Sequence, residues 1–109
     1  MSVHFADLGT LTIASGATGA STAITKYLDD AKTVSVYAPS ALTGTITVQI
    51  SFDGTTYGDL TSGGSDVTIA AGNVLVITDP GFLGLRVSSG GTEAAARTFT
   101  VSKTFVVGR

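Results

Sequence analysis

The chain has no cysteine, no tryptophan and a single histidine among its 109 residues. Without thiols there is neither a disulfide framework nor thiolate chemistry, and one histidine falls far short of the four Cys or His ligands of a usual structural zinc site. Charge is scarce as well: charged residues make up 13% of the chain, against roughly 25% in ordinary soluble domains. The six basic and eight acidic side chains give a formal net charge of −2 and form no runs, which excludes a nucleic-acid face built from clustered Lys and Arg. The opening MSVHFADLGTLTIA has no basic region followed by an apolar stretch, and no run approaches the roughly 18 apolar residues of a membrane-spanning helix. The expectation is a chain made in the cytoplasm with no membrane partner.

Threonine, serine, glycine and alanine are abundant instead, and the apolar residues recur with a period of two. In TITVQISF, Ile46, Val48, Ile50 and Phe52 share one face while Thr45, Thr47, Gln49 and Ser51 share the other, the pattern of a half-buried antiparallel strand. Shorter signals of the same kind lie at 8–13, 33–38, 66–70, 74–78, 83–88 and 97–107, separated by turn-forming clusters such as SGATGAS, PSALTG and SSGG. Stretches 74–78 and 105–107 are more continuously apolar, as expected of burial on both faces or at an interface. This predicts an all-β single domain over 1–109: an antiparallel β-sandwich or jelly roll of about seven to eight short strands, with no long helix. A small closed barrel is the alternative. STAITKYL (21–28) reads as a strand or a helical turn, and EAAAR (93–97) as one helical turn. Residues 1–7 and 106–109 are the candidate extended arms, and disorder is expected only in 1–7 and in the small-residue loop at 14–21.

The stretch SFDGTTYGDL (51–60) gathers two aspartates, a tyrosine and two glycines. An EF-hand loop needs further oxygen ligands after its first aspartate and a glutamate at its twelfth position, whereas Asp53 is followed at once by Gly54 and the twelfth position is Gly64. Asp-Gly is instead a preferred pair for a two-residue hairpin turn. That turn pairs Phe52 with Thr55 and Ile50 with Tyr57, puts Tyr57 on the core side, and calls for a bulge at Gly58 to return Leu60 inward.

Catalytic sets are absent. His4 faces no G-x-S-x-G elbow, and the adjacent Asp29 and Asp30 read as a solvated turn without the aromatic cleft that a glycosidase needs. No enzyme, cofactor or metal is expected. Lys103 shares parity with Phe99, Val101, Phe105 and Val107, so it either lies at the sheet margin as an inward-pointing edge charge or marks a bend. Arg86 and Arg97 flank the last loop and can pair with Glu93 or with an acidic partner surface.

From Thr33 to Val101, the order and style of strands and turns resemble the small β-sandwich virion proteins of tailed bacteriophages. The likeness is carried by TVSVYAPSALTGTITVQISFDGTTYGDL, SGGSDVTIAAGNVLVI and LRVSSGGTEAAARTFTV. It implies a capsid decoration or cement protein in the virion, its partners being the major capsid protein and neighbouring copies of itself, with a trimer as one arrangement. The residues then expected at partner contacts are His4, Phe5, Tyr57, Lys103, Phe105 and Arg109. The competing function is a carbohydrate- or receptor-binding module of a phage tail or fibre, using Tyr27, Tyr37 and Tyr57 as stacking rings.

Overall fold

Alternating β-branched and polar residues make strands here because one side of each strand can be buried while threonine and serine satisfy the other. The structure, a computed structural model, describes residues 2–107. The strands are β1 (Ser2–Ile13), β2 (Gly19–Ala20), β3 (Ala31–Tyr37), β4 (Ile46–Ser51), β5 (Gly58–Asp59), β6 (Thr61–Ser62), β7 (Ser65–Asp66), β8 (Thr68–Ile69), β9 (Val74–Thr78), β10 (Gly84–Ser89) and β11 (Arg97–Val107). No helix occurs among the described residues. EAAAR is a bent loop, and 21–28 is irregular apart from a bridge between Ile24 and Leu85.

One sheet, here called the ribbon sheet, runs β1-β11-β3-β9. The facing sheet runs β2-β10-β4, with β5 and β8 sharing the far edge of β4; β6 and β7 form a small separate hairpin. All pairings are antiparallel. Each sheet interleaves early strands with late ones, which is the connectivity of a jelly roll, a two-sheet β-sandwich. The core lies between the sheets and includes Leu11, Val34, Val36, Phe99 and Val101 from one side and Ile46, Val48, Leu85 and Val87 from the other. Burying each such side chain stabilises the fold by about 1.5–3 kcal/mol before chain entropy is counted.

Several expectations change. The strand of TITVQISF stops at Ser51, and Phe52 is 70% exposed and not part of the core face. The turn is longer than two residues, because Ile50 pairs with Gly58 and Gln49 with Asp59, with no register shift at Gly58. Leu60 still packs against the core, but through this register and without a bulge. The run at 66–70 is broken at Val67, whose carbonyl accepts from Val48 N while its amide donates to Leu60 O.

The described parts of the candidate arms pair with each other. Ser2 stands opposite Val107 and Phe5 opposite Thr104, so Ser2–Asp7 is strand and continues the ribbon. The register shifts between Asp7 and Gly9, and Gly9 takes a φ of 107°. This bulge exchanges the faces of β1: Leu11 and Ile13 point into the core, whereas Phe5 and Asp7 lie on the outer face. The loop at 14–21 is tied down by Gly16 N to Glu93 O and Glu93 N to Ala17 O bonds.

Candidate interaction surface

Four clusters of polar or aromatic side chains stand out. The first is the hairpin tip. Ser51 Oγ donates to Asp53 Oδ1 at 2.8 Å and accepts from Gly54 N at 2.9 Å, and Asp53 Oδ1 accepts from the Thr55 and Thr56 amides at 2.8 and 2.7 Å. Asp53 thus caps its own loop, and the two backbone amides hold its carboxyl well below the usual carboxylate range. Its Oδ1 is committed to the loop's own Ser51 hydroxyl and two backbone amides. Gly54, at φ 84°, supplies the left-handed position that the turn needs.

The second cluster lies on the outer face of the facing sheet. Tyr57 does not enter the core: its ring lies beside Gly84, where a Cβ would come within 2.5 Å of its hydroxyl, and carries the Arg86 guanidinium 4.2 Å from its centroid. Arg86 Nε donates to Gln49 Oε1 at 2.7 Å, and Gln49 Nε2 donates to Asp59 Oδ1 at 2.9 Å. The Tyr57 hydroxyl has no hydrogen-bond partner. One face of the ring is therefore occupied by Arg86, which leaves Tyr27 and Tyr37 as the exposed tyrosines.

The third is a buried carboxylate that reasoning from sequence placed in an exposed ion pair. Glu93 is 0% exposed. Its Oε1 accepts from Thr43 N and Arg97 Nε, both at 2.9 Å, and its Oε2 accepts from Gly44 N at 2.8 Å and Ser89 Oγ at 2.6 Å. The Ser89 hydroxyl foremost, then the two amides and Arg97, lower its pKa to about 2 against the opposing effect of burial. Arg86 takes no part. Glu93 joins the 43–44 loop, the end of β10 and the start of β11, and its role is structural.

The fourth surrounds the ribbon. Lys103 is 6% exposed on the inner side of β11, which is an interior strand flanked by β1 and β3, so it is not an edge lysine. Its Nζ donates to Tyr27 O at 2.7 Å and to Asp30 Oδ1, and sits 5.0 Å from the Phe105 ring centroid. His4 stacks on Phe105 at 5.6 Å between centroids. Lys103 thus closes the lower end of the core with its charge turned toward Asp30.

On the opposite, outer face the ribbon sheet is almost free of charge. Phe5 and Asp7 from β1, Thr100 and Ser102 from β11 and Tyr37 from β3 surround a depression of about 340 Å³. Val74 and Val76, cross-strand partners of Tyr37 and Ser35, extend it to the far margin and are 49% and 54% exposed. Strand 74–78 is therefore covered on one face only. Ser102 Oγ is buried and has no hydrogen-bond partner. Of the residues expected at contacts, Phe5 lies on this face, His4, Lys103 and Phe105 lie on the other side of the ribbon, Tyr57 is on the facing sheet, and Arg109 lies outside the described residues. Tyr37, expected only as a stacking ring, and Val74 and Val76, in a stretch expected to be buried on both faces or at an interface, are brought onto this face together with Phe5.

Among the described residues no three His, Cys, Asp or Glu side chains come together as metal ligands. Among the described residues no helix is long and apolar enough to cross a membrane.

No protein-family model matches the chain, and no curated protein does. A solved structure does: the chain is similar to a protein described under "Bacillus endospore appendages form a novel family of disulfide-linked pili", with a TM-score of 0.54 and 14% identity over 97% of this chain and 89% of that one. At that identity the likeness concerns the fold. The disulfide linkage named for those pili has no counterpart here, since this chain contains no cysteine.

Proposed function

We propose that the chain is a non-enzymatic structural subunit of a larger protein assembly, and specifically a decoration or cement protein on the shell of a phage particle, where it contacts the major capsid protein and further copies of itself. The observation that carries this reading is the outer face of the ribbon sheet: a broad, nearly uncharged surface of threonine and serine edged by Phe5, Tyr37, Val74 and Val76. Such a surface gains little from facing water and loses little polar hydration when covered by protein. Three titratable groups outside it, Asp53, Glu93 and Lys103, are committed to structural bonds. The fold shared with an appendage subunit fits a structural role of this general kind.

Purified protein mixed with undecorated heads is expected to bind in a fixed stoichiometry and to raise the temperature at which the heads break. Tyr37→Lys should weaken both effects while leaving the free protein folded, because Tyr37 is 42% exposed. Heads that take up none of the wild-type protein would refute the shell reading. Electron microscopy of the concentrated protein tests the second structural reading, a filament subunit, which is favoured by the appendage-like fold.

A further inference from the structure

The two edges of the ribbon sheet are open. On its outward side β1 exchanges bonds with neighbouring chain only at Thr12, whose amide donates to Thr22 Oγ1 and whose carbonyl accepts from Thr22 N. Along Ser2–Ala6 the outward backbone groups have no strand partner among the described residues. β9 pairs with β3 on one side and, among the described residues, with no strand on the other. Proteins usually protect such edges with lysine, proline or a covering loop. Neither SVHFA nor VLVIT contains a Lys, Arg, Pro or Gly. The one bulge of β1 lies beyond the stretch, between Asp7 and Gly9.

We propose that copies of this chain associate head to tail through these edges, β1 of one copy adding to β9 of the next, so that the ribbon sheet continues across subunits. Strand direction supports this pairing. From β1 to β11, to β3, to β9 there are three antiparallel steps, so β1 and β9 run in opposite directions. A neighbour set alongside in the same orientation therefore presents β1 antiparallel to β9, with its outer face on the same side. Side chains agree with the backbone. Val3 and Phe5 are 63% and 66% exposed, Phe5 lies on the outer face of the first margin, and Val74 and Val76 lie on that of the last. Juxtaposed, they form apolar cross-strand pairs in place of four solvated side chains. Beside β9, an open groove of about 280 Å³ lies between residues 75–78 and Leu60, Thr61, Ser62 and Val67.

The occupant is a second copy, because a single head-to-tail contact satisfies both edges. Pairing β1 with β1, or β9 with β9, about a two-fold axis leaves the other edge of every subunit open. A heterologous contact repeats, giving a ring if the rotation between subunits closes and a filament if it does not. This deepens the structural-subunit reading and rests on its self-contact, not on the phage shell.

The test uses two double variants. Val3→Lys/Phe5→Lys loads the β1 edge with charge, and Val74→Lys/Val76→Lys loads the β9 edge. Sedimentation of the wild type should show an average mass that rises with concentration, and each variant alone should stay at the monomer mass of 10.9 kDa. Mixed in equal amounts, the variants should reach twice that mass and go no further, since each supplies one intact edge. A wild type that stays monomeric, a variant that still assembles alone, or a mixture that remains monomeric would each overturn the proposal. Thermal melting verifies that the variants fold, and Val3→Lys with Val76→Lys as single changes repeats the experiment should a double variant melt early. Shell binding by a protein that never self-associates would remove this proposal and leave the decoration reading standing.

Discussion

Replacing Glu93 by glutamine changes one atom of a side chain that ties three segments together, and the structure predicts a large effect. The amide NH2 cannot face Thr43 N and Arg97 Nε, both donors, so it must take the place of Oε2. There Ser89 can turn its hydroxyl to Gly91 O, 2.8 Å away, and accept from the new NH2. Gly44 N cannot adapt, and a buried amide left without an acceptor costs about 1–3 kcal/mol. Arg97, 13% exposed at its side chain, also loses its counter-charge. Removing one member of a buried pair costs about 3–5 kcal/mol, and the surviving Thr43 bond to Arg97 places this case at the low end. A net loss of about 3 kcal/mol corresponds to a melting temperature lower by roughly 12 °C or more in a domain of this size. The loss should depend on pH. The folded-state pKa of Glu93 is lowered from 4.5 to about 2, so its contribution is complete above about 4.5 and disappears as pH falls toward 2, where the folded protein takes up the proton as well. Thermal melts of wild type and Glu93→Gln from pH 7 to pH 2 should therefore show a gap that narrows below about pH 4.5. Equal stability at pH 7, or a gap unchanged at pH 2, would refute the reasoning.

Gly44→Ala should destabilise by about 1–3 kcal/mol in urea unfolding, because its Cβ would meet Gly91 N and Ser89 Oγ, each at 2.5 Å. Gly58→Ala, by contrast, meets nothing within 4 Å and needs no positive φ, so its unfolding midpoint should match or slightly exceed that of the wild type; a marked loss would bring back a bulge at this site. Lys103→Met should remain within about 1 kcal/mol of the wild type by the same assay, since the stem is retained and Asp30, 57% exposed at its side chain, stays solvated. Asp53→Ala should speed hydrogen exchange at the Thr55 and Thr56 amides, which lose their acceptor, and unchanged exchange would show that the loop does not depend on the cap.

The long strands were legible because each has one dry face: the period of two in 33–38, 45–52 and 97–101 predicts the observed core residues Val34, Val36, Ile46, Val48, Phe99 and Val101. Phe52 and Tyr57 were misplaced by the same rule. A hydrophobic period says which side a residue takes while the strand lasts, but Asp53 ended it early by bonding two amides of its own loop. Glu93 could not be read as buried, because its four donors come from segments about 50 residues away as well as from its own neighbourhood. For the contact surface, the scarcity of charge pointed to a neutral face, whereas gathering Phe5, Tyr37, Val74 and Val76 on one side depends on the strand order and on the bulge at Gly9.

The pairing of β1 with β11 also sets a timetable. Asp7 must wait for Ser102, about 95 residues later in the chain, before its strand has a partner. At a synthesis rate of roughly 5–20 residues per second this is on the order of 5–20 seconds. During that interval the earliest strand to emerge, with Val3 and Phe5 in it, has both edges open. A nascent chain in a crowded polysome would then be at most risk of pairing with its neighbour through β1, and incorporation of the last strand, β11, is the event that ends the exposure on one side.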